Sequence, residues 1–374
     1  MAANFFTGVT NSNWSVSTNW SLAAVPTASD GNPATFNAAS PNCTVDGSAR
    51  VCNGLDFRGA GVTDYAGTIT MTNQITVSGS LTFAAGMGIS GSGAMLCNAA
   101  GTITWNGRTW PNAMTLSGAV TFTIADNGIV TGLLSLGSGV STTTLNGAQI
   151  TANGGVTFVG TTAIVTGSTV LVVGGGTITG ATTSGQCRLP LTITAASSTV
   201  TFAAAVFNYN TGTLTATLSG SVVTTGSTLN VATASTTLAC SAITWNLVTL
   251  SGSITVTLSE NLNAGALVTL GATTLSTVLN GSTLNCAAGL TQSNSTGNIS
   301  GTTVIALTGT GTVQSSGYTT SRGILNPVHI NAPGGTITVT TPVLIDFGKL
   351  TWQAGAVITD NTWTTAGGAR SFGF

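Results

Sequence analysis

Enzymatic chemistry needs ionisable side chains in company, and this chain supplies few of them. Seven basic and eight acidic residues are spread over 374, with a single histidine. His329 stands where an earlier copy of the same motif has Thr192, so it reads as a surface position. One imidazole excludes multi-histidine metal sites and argues against a Ser-His-Asp triad. Glycosidases need two carboxylates about 5–9.5 Å apart, whereas Asp126, Glu260, Asp346 and Asp360 are solitary in the sequence and read as hydrogen-bonding residues at corners. Gly174-Gly175-Gly176 is followed by neither the Lys-Ser/Thr pair nor the helix of a phosphate loop. The in-register aspartates of calcium-binding nonapeptide repeats are missing. None of the six cysteines forms a CxxC pair, which argues against zinc. Cys43 and Cys52 are near enough in sequence for a disulfide to be considered; otherwise the cysteines read as small buried apolar residues. No catalytic, metal-binding or cofactor-binding residue is assigned, and no cofactor is expected.

What remains must come from the backbone. Only 4% of residues are charged and net charge is −1, so there is no basic stripe for nucleic acid. Disorder needs low hydrophobicity with high net charge, and neither holds. Every apolar run is interrupted by Thr, Ser, Asn or Gly before it reaches the roughly 20 residues of a spanning helix. A membrane barrel would need aromatic girdles, and seven Trp, three Tyr and twelve Phe are too unevenly spread. Neither nucleic acid nor membrane insertion is expected. The abundant Thr and Val are β-branched and favour strands.

Internal repetition is the strongest signal. Ile103-Thr104-Trp105-Asn106 returns as Ile243-Thr244-Trp245-Asn246. Thr115-Leu116-Ser117-Gly118 returns as Thr249-Leu250-Ser251-Gly252, and Leu145-Asn146-Gly147 as Leu279-Asn280-Gly281. Leu189-Pro190-Leu191-Thr192-Ile193 is echoed by Asn326-Pro327-Val328-His329-Ile330. The order is kept, so a block of about 135 residues is duplicated, with short insertions such as Gly107 to Asn112. Within each block, runs such as Ala119 to Ile124 and Ser253 to Leu258 alternate apolar residues with Thr or Ser, the period of a half-buried strand. Corners such as Asn146-Gly147 accept positive φ.

Short strands and tight corners predict an all-β chain. The expected fold is a β-solenoid (parallel β-helix) with rungs of about 20 residues, rather than a string of sandwich domains. Outward hydroxyls stacked coil on coil would keep it soluble without charge. Composition divides it into an N-terminal cap or docking segment (1–60, with Pro26, Pro33 and Pro41), first rungs (61–102), two blocks (103–242 and 243–360) and a C-terminal tail (361–374). Trp14, Trp20 and Phe36 near the start, and Trp363, Phe372 and Phe374 near the end, are the candidate cap or partner contacts. For Trp14 and Trp20 a plug over the apolar end of the coil stack is favoured over an exposed platform.

The opening, Asn13-Trp14-Ser15, Asn19-Trp20-Ser21, Pro26, Asp30 and Phe36, resembles the start of autotransporter-like β-helical surface proteins. Ile243 to Gly252, Leu279-Asn280-Gly281 and Gly212 to Leu229 resemble repeat-rich proteins of tailed phages. The opening Met-Ala-Ala-Asn-Phe-Phe-Thr-Gly has no basic n-region or apolar h-region, and no C-terminal membrane barrel is evident, which turns the expectation toward the phage proteins. That resemblance implies a non-catalytic virion structural protein: a capsid decoration, head fibre or tail-fibre part at the virion surface. Its implied partners are other virion proteins, itself as a homo-oligomer, and a host surface glycan. The alternative expectation is a secreted bacterial adhesin or extracellular filament subunit. An ice-binding solenoid and a polysaccharide-cleaving enzyme rank below both, the first because the Thr-x-Thr spacing is irregular.

Overall fold

The computed structural model describes residues 3–59, 63–137, 141–160, 164–180, 186–203, 206–232, 234–271, 276–293, 297–315, 323–340, 343–345, 350–352, 357–360 and 363–365. Contacts divide the chain into two compact units, Met1–Pro190 with Thr194–Val200, and Leu191–Ile193 with Thr201–Phe374. Each is a parallel β-solenoid. Among the described residues the one helical element is a short 3-10 turn, Ser17–Asn19.

The winding follows from the register. In the first unit Met95–Cys97 pairs in parallel with Ile75–Val77 on one side and Met114–Leu116 on the other. Gly101–Thr104 lies between Leu81–Thr82 and Thr121–Ile124, and Gly128–Val130 between Thr109–Trp110 and Ile150–Ala152. Through most of the winding a strand therefore pairs with the third strand before it and the third after it, so three strands make one coil. The second unit winds alike: Val248–Leu250 pairs with Leu229–Val231 and Val268–Leu270.

A recurring strand holds three residues with the outer two buried and the middle one facing out, as in Met114-Thr115-Leu116 and Leu284-Asn285-Cys286. This is the alternation the sequence predicts. Met114, Leu116, Phe122, Ile124 and Val130 of one coil are all at most 1% exposed, each contributing about 1.5–3 kcal/mol of apolar burial. Corners turn on glycine where stacking leaves no room for a side chain. Gly147 (φ +112°) and Gly281 (φ +99°) have the preceding coil's carbonyl, that of Ile124 or Leu258, 2.2 Å from where a Cβ would stand.

The duplication survives in the hydrogen bonds. The buried Thr143 hydroxyl donates to the Gly118 carbonyl at 2.8 Å, and Thr277, 134 residues later, donates to Gly252 at 2.9 Å. The ladder corrects one correspondence. Trp110 pairs with Val130 and Trp245 with Ala264, and Val130 and Ala264 are again 134 apart. The counterpart of Trp245 is thus Trp110, not the Trp105 that shares its Ile-Thr-Trp-Asn context. Counted this way, Gly107 to Asn112 is almost wholly part of the repeat. Trp105 instead precedes an exposed turn through Asn106 (φ +48°) and Gly107 (φ +73°), closed by the Arg108 amide on the Trp105 carbonyl at 2.8 Å.

Candidate functional site

Regular pairing starts at Asn4–Phe5, which pairs with Ala34–Thr35. The chain between them folds back over the first coil. Asn13 bridges Thr44 in parallel and Phe6 bridges Trp20 in antiparallel, so two of the three sheet ends are covered. Trp14, Trp20 and Phe36 are at most 2% exposed. Trp14 meets Trp20 edge-on at 4.8 Å, and both lie 5.8 Å from Phe36. From Phe36 a column of rings runs on: Phe57 at 5.0 Å, then Phe83 at 6.2 Å, then Trp105 at 5.4 Å and Trp110 at 5.7 Å. As placed, these tryptophans are interior residues with no face for a partner or a glycan. Trp363 lies in the strand Trp363–Thr365, while Phe372 and Phe374 lie outside the described residues.

The polar loop above the plug is pinned by Asn19, which is fully buried. Its Oδ1 accepts the Thr10 amide at 2.9 Å, and its Nδ2 donates to Asn11 Oδ1 at 2.9 Å and to the Asn13 carbonyl at 2.8 Å. Asp46 ties the loop to the coil below by accepting both the Ser15 amide (2.8 Å) and its hydroxyl (2.5 Å), with Arg50 at 3.7 Å. Burial pushes the Asp46 carboxyl up, but the Ser15 hydroxyl and amide, with Arg50, outweigh it and hold it below the usual carboxylate value.

Five other carboxylates are each occupied locally. Asp30 accepts the Thr27 amide, Asp56 the Arg58 amide, and Asp64 pairs with Arg58 at 3.0 Å. Asp126 receives the Trp105 and Asn106 amides, each at 2.6 Å. Its counterpart Glu260 accepts the Ser241 hydroxyl (2.7 Å) and amide (3.2 Å), which lower its pKa. Both therefore bond to backbone at a corner. Asp346 lies outside the described residues, and Asp360 ends the strand Val357–Asp360. His329 is half-buried, in register with Ala306 and Thr351. Among the described residues no three His, Cys, Asp or Glu side chains converge as a metal site would require. All six cysteines are buried and unbonded, Cys43 and Cys52 included.

A polar groove of about 460 Å³ runs along a corner of the first unit, lined by Pro33, Asn53, Gly54, Asp56, Ser80 and Thr82 among others. It holds one carboxylate and no aromatic ring. The Thr-x-Thr triplets do not stack rank on rank: Thr102 of one pairs with Thr123 of the next, and Thr121 with Thr144, so each step shifts the triplet by two residues. Comparison with protein-family models, curated proteins and solved structures finds no match for this chain.

Proposed function

We propose that the chain is a non-catalytic structural component of a phage particle, a stiff surface-exposed spacer whose N-terminal end faces its attachment point. The observation that carries this reading is the N-terminal plug. A ring column from Trp14 to Trp110 runs through the interior of the early coils, while Asp30, Asp46, Asp56, Asp64, Asp126 and Glu260 are tied to neighbouring amides, hydroxyls or arginines rather than to one another. An interior packed with rings and aliphatic side chains favours rigidity over a cavity for substrate. The near-neutral exterior of hydroxyls and amides suits exposure on a particle. Its partners in this reading are neighbouring capsid or tail proteins and, in a fibre, further copies of itself.

Mass spectrometry and immunogold labelling of particles purified from the source virus test the reading. The expected result is a chain present in stoichiometric amount on the particle surface. Its absence from purified particles, with secretion from bacterial cells instead, overturns the reading in favour of an adhesin or filament subunit.

A further inference from the structure

Six Asn-Gly steps occur in the chain: Asn53-Gly54, Asn106-Gly107, Asn127-Gly128, Asn146-Gly147, Asn153-Gly154 and Asn280-Gly281. Such a step ages by a defined reaction. The glycine amide nitrogen, having lost its proton, attacks the asparagine Cγ. Ammonia leaves and a cyclic imide forms. Water then opens the imide at either carbonyl, giving aspartate or isoaspartate. The reaction needs a glycine N–H free to lose its proton and a carboxamide free to swing over it.

The coil stack removes both freedoms at three of the six steps. Asn146 Oδ1 accepts the Ser168 amide at 3.2 Å while the Gly147 amide donates to the Ser168 hydroxyl at 3.1 Å. The copy is faithful in kind: Asn280 Oδ1 accepts the Thr302 amide at 3.3 Å and the Gly281 amide donates to the Thr302 hydroxyl at 3.0 Å. One residue of the next coil thus holds the electrophile and the nucleophile apart. At Asn127 the same double hold comes from Gln149, whose amide donates to Asn127 Oδ1 at 3.1 Å and whose carbonyl accepts the Gly128 amide at 3.0 Å.

The remaining steps differ. Asn106 is held by its Nδ2 on the Phe83 carbonyl at 2.6 Å. Asn153 is wedged beneath Gly174, where an added Cβ would stand 2.2 Å from Asn153 Oδ1. At Asn53 neither restraint operates. Its side chain and the Gly54 amide enter none of the hydrogen bonds found among the described residues, and half-buried Asn53 and buried Gly54 both line the polar groove.

We propose that Asn53 is a site of spontaneous deamidation in the folded protein, and that Ser168 and Thr302 are guards that protect Asn146 and Asn280 from the same reaction. Conversion at Asn53 places a new carboxylate in the groove that already holds Asp56. In the isoaspartate form it also lengthens the backbone at a corner where Gly79 packs against the Asn53 carbonyl.

The test is peptide mapping by mass spectrometry, with isoaspartate-specific methylation, during storage of the folded full chain in mildly alkaline buffer. Asn53 should convert at least about tenfold faster than Asn146 and Asn280, the factor that one net hydrogen bond of about 1.4 kcal/mol supplies. In urea the difference should vanish. Ser168→Ala and Thr302→Ala should each accelerate conversion at their own asparagine, by up to about tenfold, with circular dichroism confirming that the coils persist. Equal native rates at Asn53, Asn146 and Asn280 overturn the assignment of Asn53. Folded Ser168→Ala and Thr302→Ala proteins with unchanged conversion overturn the guards.

Discussion

The early coils and the duplicated coils solve one packing problem by different means. Up to Trp110 a column of rings in contact from coil to coil runs through the interior beside aliphatic side chains such as Ile69, Ile75 and Leu81, and the outside carries Asp30, Asp46, Arg50, Asp56, Arg58 and Asp64. From Thr121 onward the inward positions are chiefly Val, Leu and Ile, with one ring cluster at Phe202, Phe207, Tyr209 and Trp245. There the coils are stitched by hydroxyls and carboxamides, as at Thr143, Thr277 and the Asn285–Asn263 pair at 2.7 Å. A coil with neighbours above and below can be built from a repeated motif. The first coil has a neighbour on one side only, so its open end needs large side chains and specific polar ties.

The comparison can be broken most severely at the plug. Trp14→Ala should cost about 3–5 kcal/mol, seen as a fall in thermal midpoint, and should also raise dye binding to exposed apolar surface. A smaller loss than that of Leu145→Ala, at about 2–5 kcal/mol, would show the end to be no more demanding than the middle. Next come the corners. Gly147→Ala and Gly281→Ala should each destabilise by more than about 1 kcal/mol, because the Cβ meets a carbonyl of the coil before. Thr143→Val and Thr277→Val keep shape but remove the hydroxyl that bonds the Gly118 or Gly252 carbonyl, costing about 0.5–1.5 kcal/mol by chemical denaturation.

The smallest effect is acid-dependent. The Asp46 carboxyl has a folded value below its unfolded one. Its stabilisation is present above the ordinary carboxylate value and is lost as pH falls through the depressed one. Asp46→Asn should therefore flatten the acid limb of a stability–pH profile and leave the neutral stability of the later coils unchanged. The side chain is 23% exposed, and a single carboxylate with opposing influences is involved, so the change should be modest.

Much of this was legible in the sequence, and the exceptions share a cause. Alternation in Ser253 to Leu258 marks a strand because a side-chain period of two is local. Leu145-Asn146-Gly147 and its copy mark corners because glycine's freedom is local too. The corner roles of Asp126 and Glu260 follow from their equivalent places. The partner of a corner is not local. Ser168 guards Asn146 from the next coil, and nothing in either short motif announces it. Matching letters paired Trp105 with Trp245, while the ladder pairs Trp110, since register is fixed by the preceding and following coils. The plug at Trp14 follows from the need to cover an apolar end, but the loop through Asn19 that seats it is a contact that composition cannot reveal.

The cysteines carry a consequence for manufacture. Their thiols point inward at no more than 2% exposure, and burial raises their pKa, to about 12 at Cys97, Cys187, Cys240 and Cys286. A thiol reagent should modify none of these in the folded chain and all of them after unfolding. Because no covalent crosslink holds the described coils together, reducing and oxidising surroundings should yield the same molecule. A chain of this design can be synthesised in one compartment and serve in another without being rewired on the way.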